Sequence, residues 1–298
     1  MPQISIIIVN YKVKDLLDKA LESLFEFNSD IDLDVIVVDN DSNDGSEDMV
    51  HTKYPQVRYV ESGGNLGFAK ANNIGYKIAK YDYILLLNPD TEFIEHDSLK
   101  KLIELFNVRE NIGALACKLL NSDSTLQPSC RTLPTLASQI FVLLKIHNFF
   151  PYSIPTIRKY YMLDFDYNNE KKVEQVMGAF LLTHKSVIQN LDNVLLDEDY
   201  WLLFEEVDLC ARIKEYGYDT IFTPITSIKH HKGESFKQEK ILKNQKTFNT
   251  SLLKYFKKHK SKLTVLILRF FMILNFFIVR LVVIGAKLNI LPKKKKYL

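Results

Sequence analysis

The sequence predicts an α/β protein whose amino-terminal part is a mostly parallel sheet with helices on both faces. Short, continuously apolar runs rich in β-branched residues alternate with stretches of helical spacing through residues 1–105. That alternation is typical of parallel strands buried on both faces. A chain of 298 residues with only 10 glycines and 9 prolines is also long enough to bury such a core, in one large or two fused domains.

Each element of this half follows from its local pattern. Apolar residues recur every three or four positions over residues 12–27, which predicts a helix, and a further helix is expected to end near Ala79. The expected strands are ISIIIVNY (4–11), DVIVVDN (34–40), VRYVES (57–62) and YILLLNPD (83–90). We therefore expect a Rossmann-like half at residues 1–105.

Polar side chains stand at or just after the carboxyl ends of these strands, where an open α/β sheet binds its ligand. They are Asn10 and Tyr11, Asp39 to Ser42, Asn65 with Gly67, and Asn88 to Asp90. The dinucleotide fingerprint GxGxxG is absent after the first strand, which argues against NAD. A different nucleotide remains open as the ligand.

Eight segments occur in a fixed order along the chain: IIIVNYK, VIVVDNDSNDGS, NLGFAKANNIG, LLLNPDT, LQPSCRTLP, VMGAFLLTHKSV, FEEVDLCARIKEYGYDTIFTP and HHKGES. The first four resemble the family-two inverting glycosyltransferases of the GT-A fold, and the last four resemble the rhamnosyltransferase-like branch. The resemblance covers residues 4–235. It implies a nucleotide-sugar-binding half at 1–105 and an acceptor-binding, catalytic half at 106–238, followed by a tail at 239–298.

A nucleotide-diphosphate sugar needs polar groups that read its base and ribose. The resemblance implies that Asn10 and Asp39 hold the uracil or thymine and its ribose, with Asn65 and Asn73 supporting the pocket. Asn65 and Asn73 also suit a turn and a helix start, so their role stays open. Asp41 and Asp44 are expected to cap their loop rather than bind a ligand.

The donor also needs a divalent cation that neutralises the leaving diphosphate. In LNPDT, Asp90 is a suitable carboxylate ligand for Mg²⁺ or Mn²⁺ at a strand end, with a helix cap as its alternative role. Asn88 replaces the first acid of the usual Asp-any-Asp motif and is expected to face the nucleotide or a metal-bound water. The resemblance implies His230 as the second protein ligand, and His231 is the alternative.

FEEVDLC places three carboxylates after an aromatic and apolar run, at the expected start of a helix. The positive end of the helix dipole accounts for some of this charge. An aromatic wall removes solvent and raises proton affinity, as a general base requires. We interpret Glu206 as the base, one methylene longer than the family's usual Asp, and Glu205 as an acceptor-binding or orienting acid. Asp208 is expected to contact Arg212 one turn later.

The second half offers less specific signals. Arg131 is a candidate for binding diphosphate or acceptor, because a guanidinium matches phosphate oxygens bidentately, and a surface ion pair is the alternative. Residues 134–172 contain eight Phe and Tyr residues and three prolines. We interpret them as a partly irregular acceptor region.

The tail differs in charge from the rest of the chain, because 15 Lys and Arg residues and no acidic residue follow Glu239. Residues 263–286 are apolar and long enough to span a bilayer core of ~30 Å. At about 100° per residue, four basic side chains form one stripe on this helix: Lys262, Arg269, Arg280 and Lys287. Arginines inside a span are costly. We therefore expect an interfacial helix or a re-entrant hairpin on the cytoplasmic membrane surface, with a buried core or homodimer helix as the alternative.

These expectations combine into a metal-dependent inverting glycosyltransferase at the cytoplasmic membrane face. The first candidate donor is dTDP-rhamnose, and the expected acceptor is a polyprenyl-diphosphate-linked glycan. Nucleic acid is not an expected partner, because the tail alternates lysine clusters with aliphatic residues.

Two rivals remain, a sugar nucleotidyltransferase and a non-catalytic nucleotide-sugar-binding scaffold. The first is disfavoured, because VNYKVKD after the first strand lacks the glycines of a triphosphate loop.

Overall fold

A computed structural model describes residues 1–231 and 241–287. The chain divides into two compact units, the first formed by Met1–Cys130 with Asp166–Gln238 and the second by Arg131–Phe165 with Glu239–Leu298. Residues 134–165 of the aromatic region that the sequence assigned to the acceptor half thus group with the tail, because one of their helices packs against a tail helix, whereas residues 166–172 belong to the first unit.

The described strands, in chain order, are β1 Gln3–Asn10, β2 Asp32–Asp39, β3 Arg58–Glu61, β4 Tyr83–Leu87, β5 Thr91–Phe93, β6 Ile112–Leu120, β7 Cys130–Arg131, β8 Lys171–Val173, β9 Gln175–Val176, β10 Phe180–His184 and β11 Asp219–His230. The described α-helices are α1 Lys14–Phe27, α2 Ser46–Lys53, α3 Phe68–Ile78, α4 Ser98–Val108, α5 Leu136–Leu143, α6 Pro155–Tyr160, α7 Lys185–Asn190, α8 Glu205–Glu215, α9 Ile241–His259 and α10 Lys262–Lys287. The four strands and two helices expected in the first half are confirmed within one to three residues at most ends.

The first unit is built on a mostly parallel sheet. The strand order is β3-β2-β1-β4-β10-β6-β11-β5, with β8 paired to β11. The first four strands are parallel neighbours, and β10 runs antiparallel to β4. Asn10 pairs with Asp39, and Ile8 pairs with Leu87, so β1, β2 and β4 end nearly level. Their polar ends therefore meet along one edge of the sheet.

The second unit is helical. Val142, Ile157 and Tyr160 form a small core between α5 and α6. The long helix α10 packs against α5 and α9, and its buried Asn275 donates to Leu143 O at 2.6 Å. Because α10 is one continuous helix over Lys262–Lys287, the hairpin alternative for this segment is wrong. Within the described residues, Lys262–Leu281 is long and apolar enough to cross a bilayer, by length and composition alone.

Candidate active site

Asn10 and Asp39 form the buried centre of the first half-site. Asn10 Nδ2 donates to Asp39 Oδ1 at 2.8 Å and contacts the Ser42 and Ser46 hydroxyls at 2.9 Å. Asp39 Oδ2 accepts from the Ser42 amide at 2.9 Å. Asn10 Oδ1 has no hydrogen-bond partner among the described residues, although it is fully buried. A buried acceptor without a partner costs about 1–3 kcal/mol, so this oxygen suits a ligand donor.

A pocket of about 280 Å³ opens beside Asp39, between the ends of β2 and β3. Tyr59 lies in its wall, where burial and the nearby Asp39 charge raise the pKa of the phenol. The lining is strongly acidic, and its carboxylates are Asp39, Asp41, Asp44, Glu47, Asp48 and Glu61. A neutral base and ribose hydroxyls fit such a lining, whereas a diphosphate would be repelled. Asp44 caps the loop, as predicted, by accepting from Ser46 N at 3.0 Å.

Asn65 and Asn73 both make structural hydrogen bonds. Asn65 Oδ1 accepts from Asn40 Nδ2 at 3.2 Å in the loop before α3. Asn73 lies inside α3, and its amide exchanges hydrogen bonds with the backbone of Leu196 at 2.8 and 3.2 Å. It also donates to Glu198 Oε1 at 3.1 Å. Both side chains thus hold loops next to α3, and their support of a nucleotide pocket stays a prediction.

Asp90, Asn88 and His230 converge at the end of β4. His230 Nε2 lies 3.2 Å from Asp90 Oδ1 and 3.4 Å from Asn88 Nδ2. Asp90 is followed by strand β5, so its alternative role as a helix cap is wrong. His231 contacts Glu92 at 2.9 Å and turns away to Ser122. The geometry thus favours His230 over His231 as the partner of Asp90.

One carboxylate oxygen and one imidazole nitrogen at this spacing fit the donor preferences of Mn²⁺ and, through oxygen, of Mg²⁺. Among the described residues no cluster of three or more His, Cys, Asp or Glu side chains could hold a metal ion. The remaining ligands would have to come from the Asn88 amide, water or the donor diphosphate.

Helix α8 starts at Glu205, as the sequence predicted, and its first turn puts Glu205 and Glu206 in different surroundings. Glu205 is buried, and its Oε2 has no hydrogen-bond partner within the described chain. Burial, together with the charge of Glu206, raises the pKa of Glu205 well above its ordinary value. Glu206 is half-buried. The strongest desolvation, which the sequence assigned to the base Glu206, therefore falls on its neighbour.

Asp208 is fully buried and paired with Arg212 at 2.9 Å, which confirms the predicted contact. The same guanidinium donates to the carbonyls of Val194 and Leu195 at 2.7 Å. The backbone just before the helix is in the left-handed region, with φ values of 69° at Leu203 and 71° at Phe204. Such residues cost about 1–3 kcal/mol each and cluster at functional sites. Through its bonds to residues 194–195, Arg212 connects α8 to the chain segment that precedes this turn.

The end of β4 and the start of α8 meet through two small residues that sequence reasoning missed. Asn88 N donates to Ala179 O at 3.0 Å. A Cβ on the neighbouring Gly178 would lie 3.4 to 3.8 Å from side-chain carbons of Glu206. The candidate base thus lies beside the strand end that carries the candidate metal ligands. The adjacent glycine in VMGAF was the available signal.

Two further contacts also escaped the sequence. Trp201 O accepts from Phe68 N at 2.7 Å, which joins the loop before α8 to the start of α3. His230 Nδ1 lies 2.7 Å from Gln127 Oε1.

Arg131 belongs to the second unit, where its guanidinium lies 5.0 Å from the Tyr161 ring centroid. Its proposed role in phosphate or acceptor binding stays a prediction.

The chain is similar in sequence to known glycosyltransferases. The model of a family described as glycosyl transferase family 2 matches residues 5–162. An N-acetylglucosaminyl-diphospho-decaprenol L-rhamnosyltransferase of Mycobacterium tuberculosis is 26% identical over 241 residues, covering 77% of this chain and 76% of that protein. Rhamnosyltransferase WbbL of Escherichia coli is 27% identical over 242 residues, covering 78% and 85%.

Solved structures share the fold. The mannosyltransferase PcManGT of Pyrobaculum calidifontis, in complex with GDP-Man and Mn²⁺, matches with a TM-score of 0.57 at 15% identity, over 98% of this chain and 81% of that chain. TarS residues 1–349 of S. aureus, in complex with UDP-GlcNAc, match with a TM-score of 0.56 at 13% identity, over 91% and 71%. These likenesses bear on the fold, and they confirm the expected GT-A architecture.

Proposed function

This chain belongs to glycosyl transferase family 2, and on that premise we propose that it moves a sugar from a nucleotide-diphosphate donor to a lipid-linked glycan. The first candidate donor is dTDP-rhamnose, supported by relatives named as rhamnosyltransferases. The acceptor class is supported by the decaprenol-diphosphate sugar in one relative's name. The observation that carries the proposal is the approach of Glu206 to the end of β4 through Gly178 and Ala179.

The donor is proposed to lie across the ends of β2, β1 and β4. Its base and ribose occupy the pocket beside Asp39 and Asn10, where the acidic lining admits uncharged groups. Adjacent strands lie about 4.8 Å apart, so β4 ends about 10 Å from β2, roughly the reach of a ribose and its diphosphate. The diphosphate then lies beside Asp90, outside the acidic pocket.

Asp90 and His230 are proposed to hold a divalent cation, Mn²⁺ or Mg²⁺, with Asn88 next to it. When bound, this cation supplies positive charge that stabilises the leaving diphosphate. Asp90 and His230 are both buried, which keeps their ligand atoms in place. Arg131 is proposed as a further phosphate or acceptor contact, because of its fork of donors.

Glu206 is proposed as the general base. It takes the proton of the acceptor hydroxyl while that oxygen bonds to the anomeric carbon, and the bond from this carbon to the diphosphate oxygen breaks on the opposite face. The result is inversion. Burial raises the pKa of Glu205, so we assign the proton of the pair to this more buried acid and the general-base role to Glu206. Neutral Glu205 remains able to hydrogen-bond the acceptor.

Two matched variants test this assignment, since each exchanges one acid of the pair for its amide. Glu206→Gln should lower kcat by about 10²–10⁴-fold while dTDP binding, measured by calorimetry, is unchanged. Glu205→Gln should retain much more activity, because an amide resembles a protonated carboxyl. Retained turnover in Glu206→Gln would contradict the base assignment. Turnover should be measured with dTDP-rhamnose and a polyprenyl-diphosphate GlcNAc acceptor, alongside other nucleotide sugars.

The same assays address the rival functions. A sugar nucleotidyltransferase would release diphosphate from dTTP and a sugar phosphate, and a scaffold would bind nucleotide sugar without turnover. The connection between β1 and α1 contains no glycine, which disfavours a triphosphate-cradling loop. If no nucleotide sugar raised the thermal unfolding midpoint in the presence of Mn²⁺, the donor proposal would fail.

The tail is proposed to bind the cytoplasmic membrane surface through α10, as a peripheral or monotopic anchor. Its buried side consists of Val265, Leu268, Asn275 and Val279. On the opposite side, at about 100° per residue, large apolar residues are exposed: Leu263, Leu266, Ile267, Phe270, Ile273, Phe277 and Leu281. Lys262, Arg269 and Arg280 lie along one border of that face. An apolar face with a basic border suits an interfacial helix on anionic lipid.

Co-sedimentation with vesicles tests the anchor. Wild-type protein should pellet with phosphatidylglycerol vesicles more than with phosphatidylcholine, and a Phe270→Glu, Phe277→Glu variant should stay in solution. Val108→Glu, which alters an exposed apolar residue at the end of α4, is the matched control and should pellet normally. If the double variant still pelleted, the anchor would be wrong. Loss of a dimer in the double variant would instead support a second copy of the chain as the partner.

A further inference from the structure

Gln127 is a buried amide whose orientation is set by its neighbours. Asn121 Nδ2 donates to Leu126 O at 3.2 Å and to Thr125 Oγ1 at 2.9 Å. A backbone carbonyl can only accept, so the Asn121 amide must direct its nitrogen there and its Oδ1 towards Gln127. Gln127 Nε2 accordingly donates to Asn121 Oδ1 at 2.9 Å and to His230 O at 3.1 Å.

This orientation decides which ring nitrogen of His230 carries a proton. With its nitrogen committed, Gln127 presents Oε1, 2.7 Å from His230 Nδ1. An amide oxygen only accepts, so Nδ1 must carry the hydrogen. In the neutral imidazole the other nitrogen, Nε2, is then bare, and its lone pair points at Asn88 and Asp90.

The bare Nε2 of His230 lies where a bound cation would relieve electrostatic repulsion. His230 Nε2 and Asp90 Oδ1 are 3.2 Å apart, and two lone pairs at that distance repel unless positive charge or a donated hydrogen lies between them. The Asn88 amide offers Nε2 only a long contact of 3.4 Å. A metal-binding histidine typically donates its other N–H to an oxygen, which sets the tautomer and the ring orientation. Gln127 provides such an oxygen.

We propose that Gln127 is a positioning residue that holds His230 as the Nδ1–H tautomer, so that Nε2 is free to bind a divalent cation with Asp90. The backbone supports this role, because Gln127 N donates to Leu119 O at 2.9 Å, beside the end of β6. Parallel pairing of β6 with β11 brings Leu120 next to Lys229, the neighbour of His230. The proposal rests on the proposed metal site.

The test uses the full chain and two independent readouts, the ¹⁵N signals of His230 without metal and the affinity for Mn²⁺. Wild-type His230 should show a protonated Nδ1 and a bare Nε2. Gln127→Leu should shift the ring towards the other tautomer and weaken Mn²⁺ binding about 10- to 100-fold. Gln127→Glu keeps an acceptor oxygen for Nδ1 and should keep the tautomer, although its other oxygen faces the acceptors Asn121 Oδ1 and His230 O. Gln139→Leu, at another buried glutamine, is the control and should change neither readout.

The outcomes separate this inference from the metal site itself. If His230→Ala bound Mn²⁺ as tightly as wild type, the proposed metal ligand would be wrong, whatever the tautomer. If His230→Ala lost binding but Gln127→Leu changed neither readout, only the role of Gln127 would be overturned. The same holds if Gln127→Glu shifted the tautomer as much as Gln127→Leu, because the acceptor oxygen would then not set it. Should Gln127→Leu fail to fold, the wild-type tautomer and Gln127→Glu still decide.

Discussion

Replacing Glu205 by Gln should remove a pH-dependent loss of stability. Glu205 is only 4% exposed, its Oε2 lacks a partner among the described residues, and the Glu206 charge is close. These causes raise the pKa of Glu205 well above its ordinary value of 4.5. The folded protein therefore holds a proton that the unfolded chain releases. The resulting stabilisation is fully present below the unfolded pKa and is lost as the pH rises through the folded one.

The size of this pH dependence follows from the release of one proton on unfolding. Between the unfolded and folded pKa values, the Glu205 contribution to the free energy of unfolding should fall by up to about 1.4 kcal/mol per pH unit. Glu205→Gln cannot ionise, so wild type minus variant isolates this slope. The free energy of unfolding is measured by urea denaturation at pH values from about 5 to about 8. Unfolding is monitored by the fluorescence of the single tryptophan, Trp201.

Glu215→Gln is the control, because Glu215 lies exposed at the end of the same helix. That variant should keep the pH dependence of the wild type. A difference curve for Glu205→Gln that is flat, or that rises with pH, would refute the claim that this carboxyl is held protonated. It would also remove the argument that leaves Glu206 as the ionised acid.

Three further outcomes are expected. Arg212→Met should lower the free energy of unfolding by about 3–5 kcal/mol, because Asp208 stays buried without its partner; Arg158→Met, which breaks the exposed pair with Asp164, should leave the urea midpoint nearly unchanged. Gly67→Ala should destabilise more than Gly63→Ala by about 1–3 kcal/mol, because its Cβ would lie 2.2 Å from Trp201 O whereas nothing lies within 4 Å at Gly63; equal urea midpoints would contradict this. Asp39→Ala should weaken dTDP binding by calorimetry about 10- to 100-fold, as expected for a lost hydrogen bond to a charged group; Asp15→Ala should have little effect, since Asp15 is exposed on α1 and outside the pocket lining.

Local pattern was sufficient for the elements that carry the nucleotide half. Apolar runs of β-branched residues mark β1 and β2, and spacing of three to four marks α1 and α8, because burial on one face imposes the period of the element on the sequence. The level ends of β1 and β2 then follow from their parallel pairing. The sequence alone therefore places Asn10 and Asp39 at neighbouring strand ends.

The choice between neighbouring residues needed the tertiary structure. His230 and His231 are adjacent in sequence, and alternation along β11 directs one to Asp90 and the other to Glu92. Which one faces the site depends on the pairing of β11 with β5. The role of Gln127 was equally hidden, since it lies 103 residues from His230 along the chain.

The sequence by itself determined the fold class, the family, the charge division between body and tail, and the set of carboxylates from which a base is drawn. The tertiary structure decided how FEEVDLC divides into a buried acid at Glu205, a half-buried acid at Glu206 and an Arg212-paired Asp208. The reason is physical. A sequence pattern records the period and polarity of an element, whereas desolvation and ligand geometry depend on what the rest of the chain packs against each side chain.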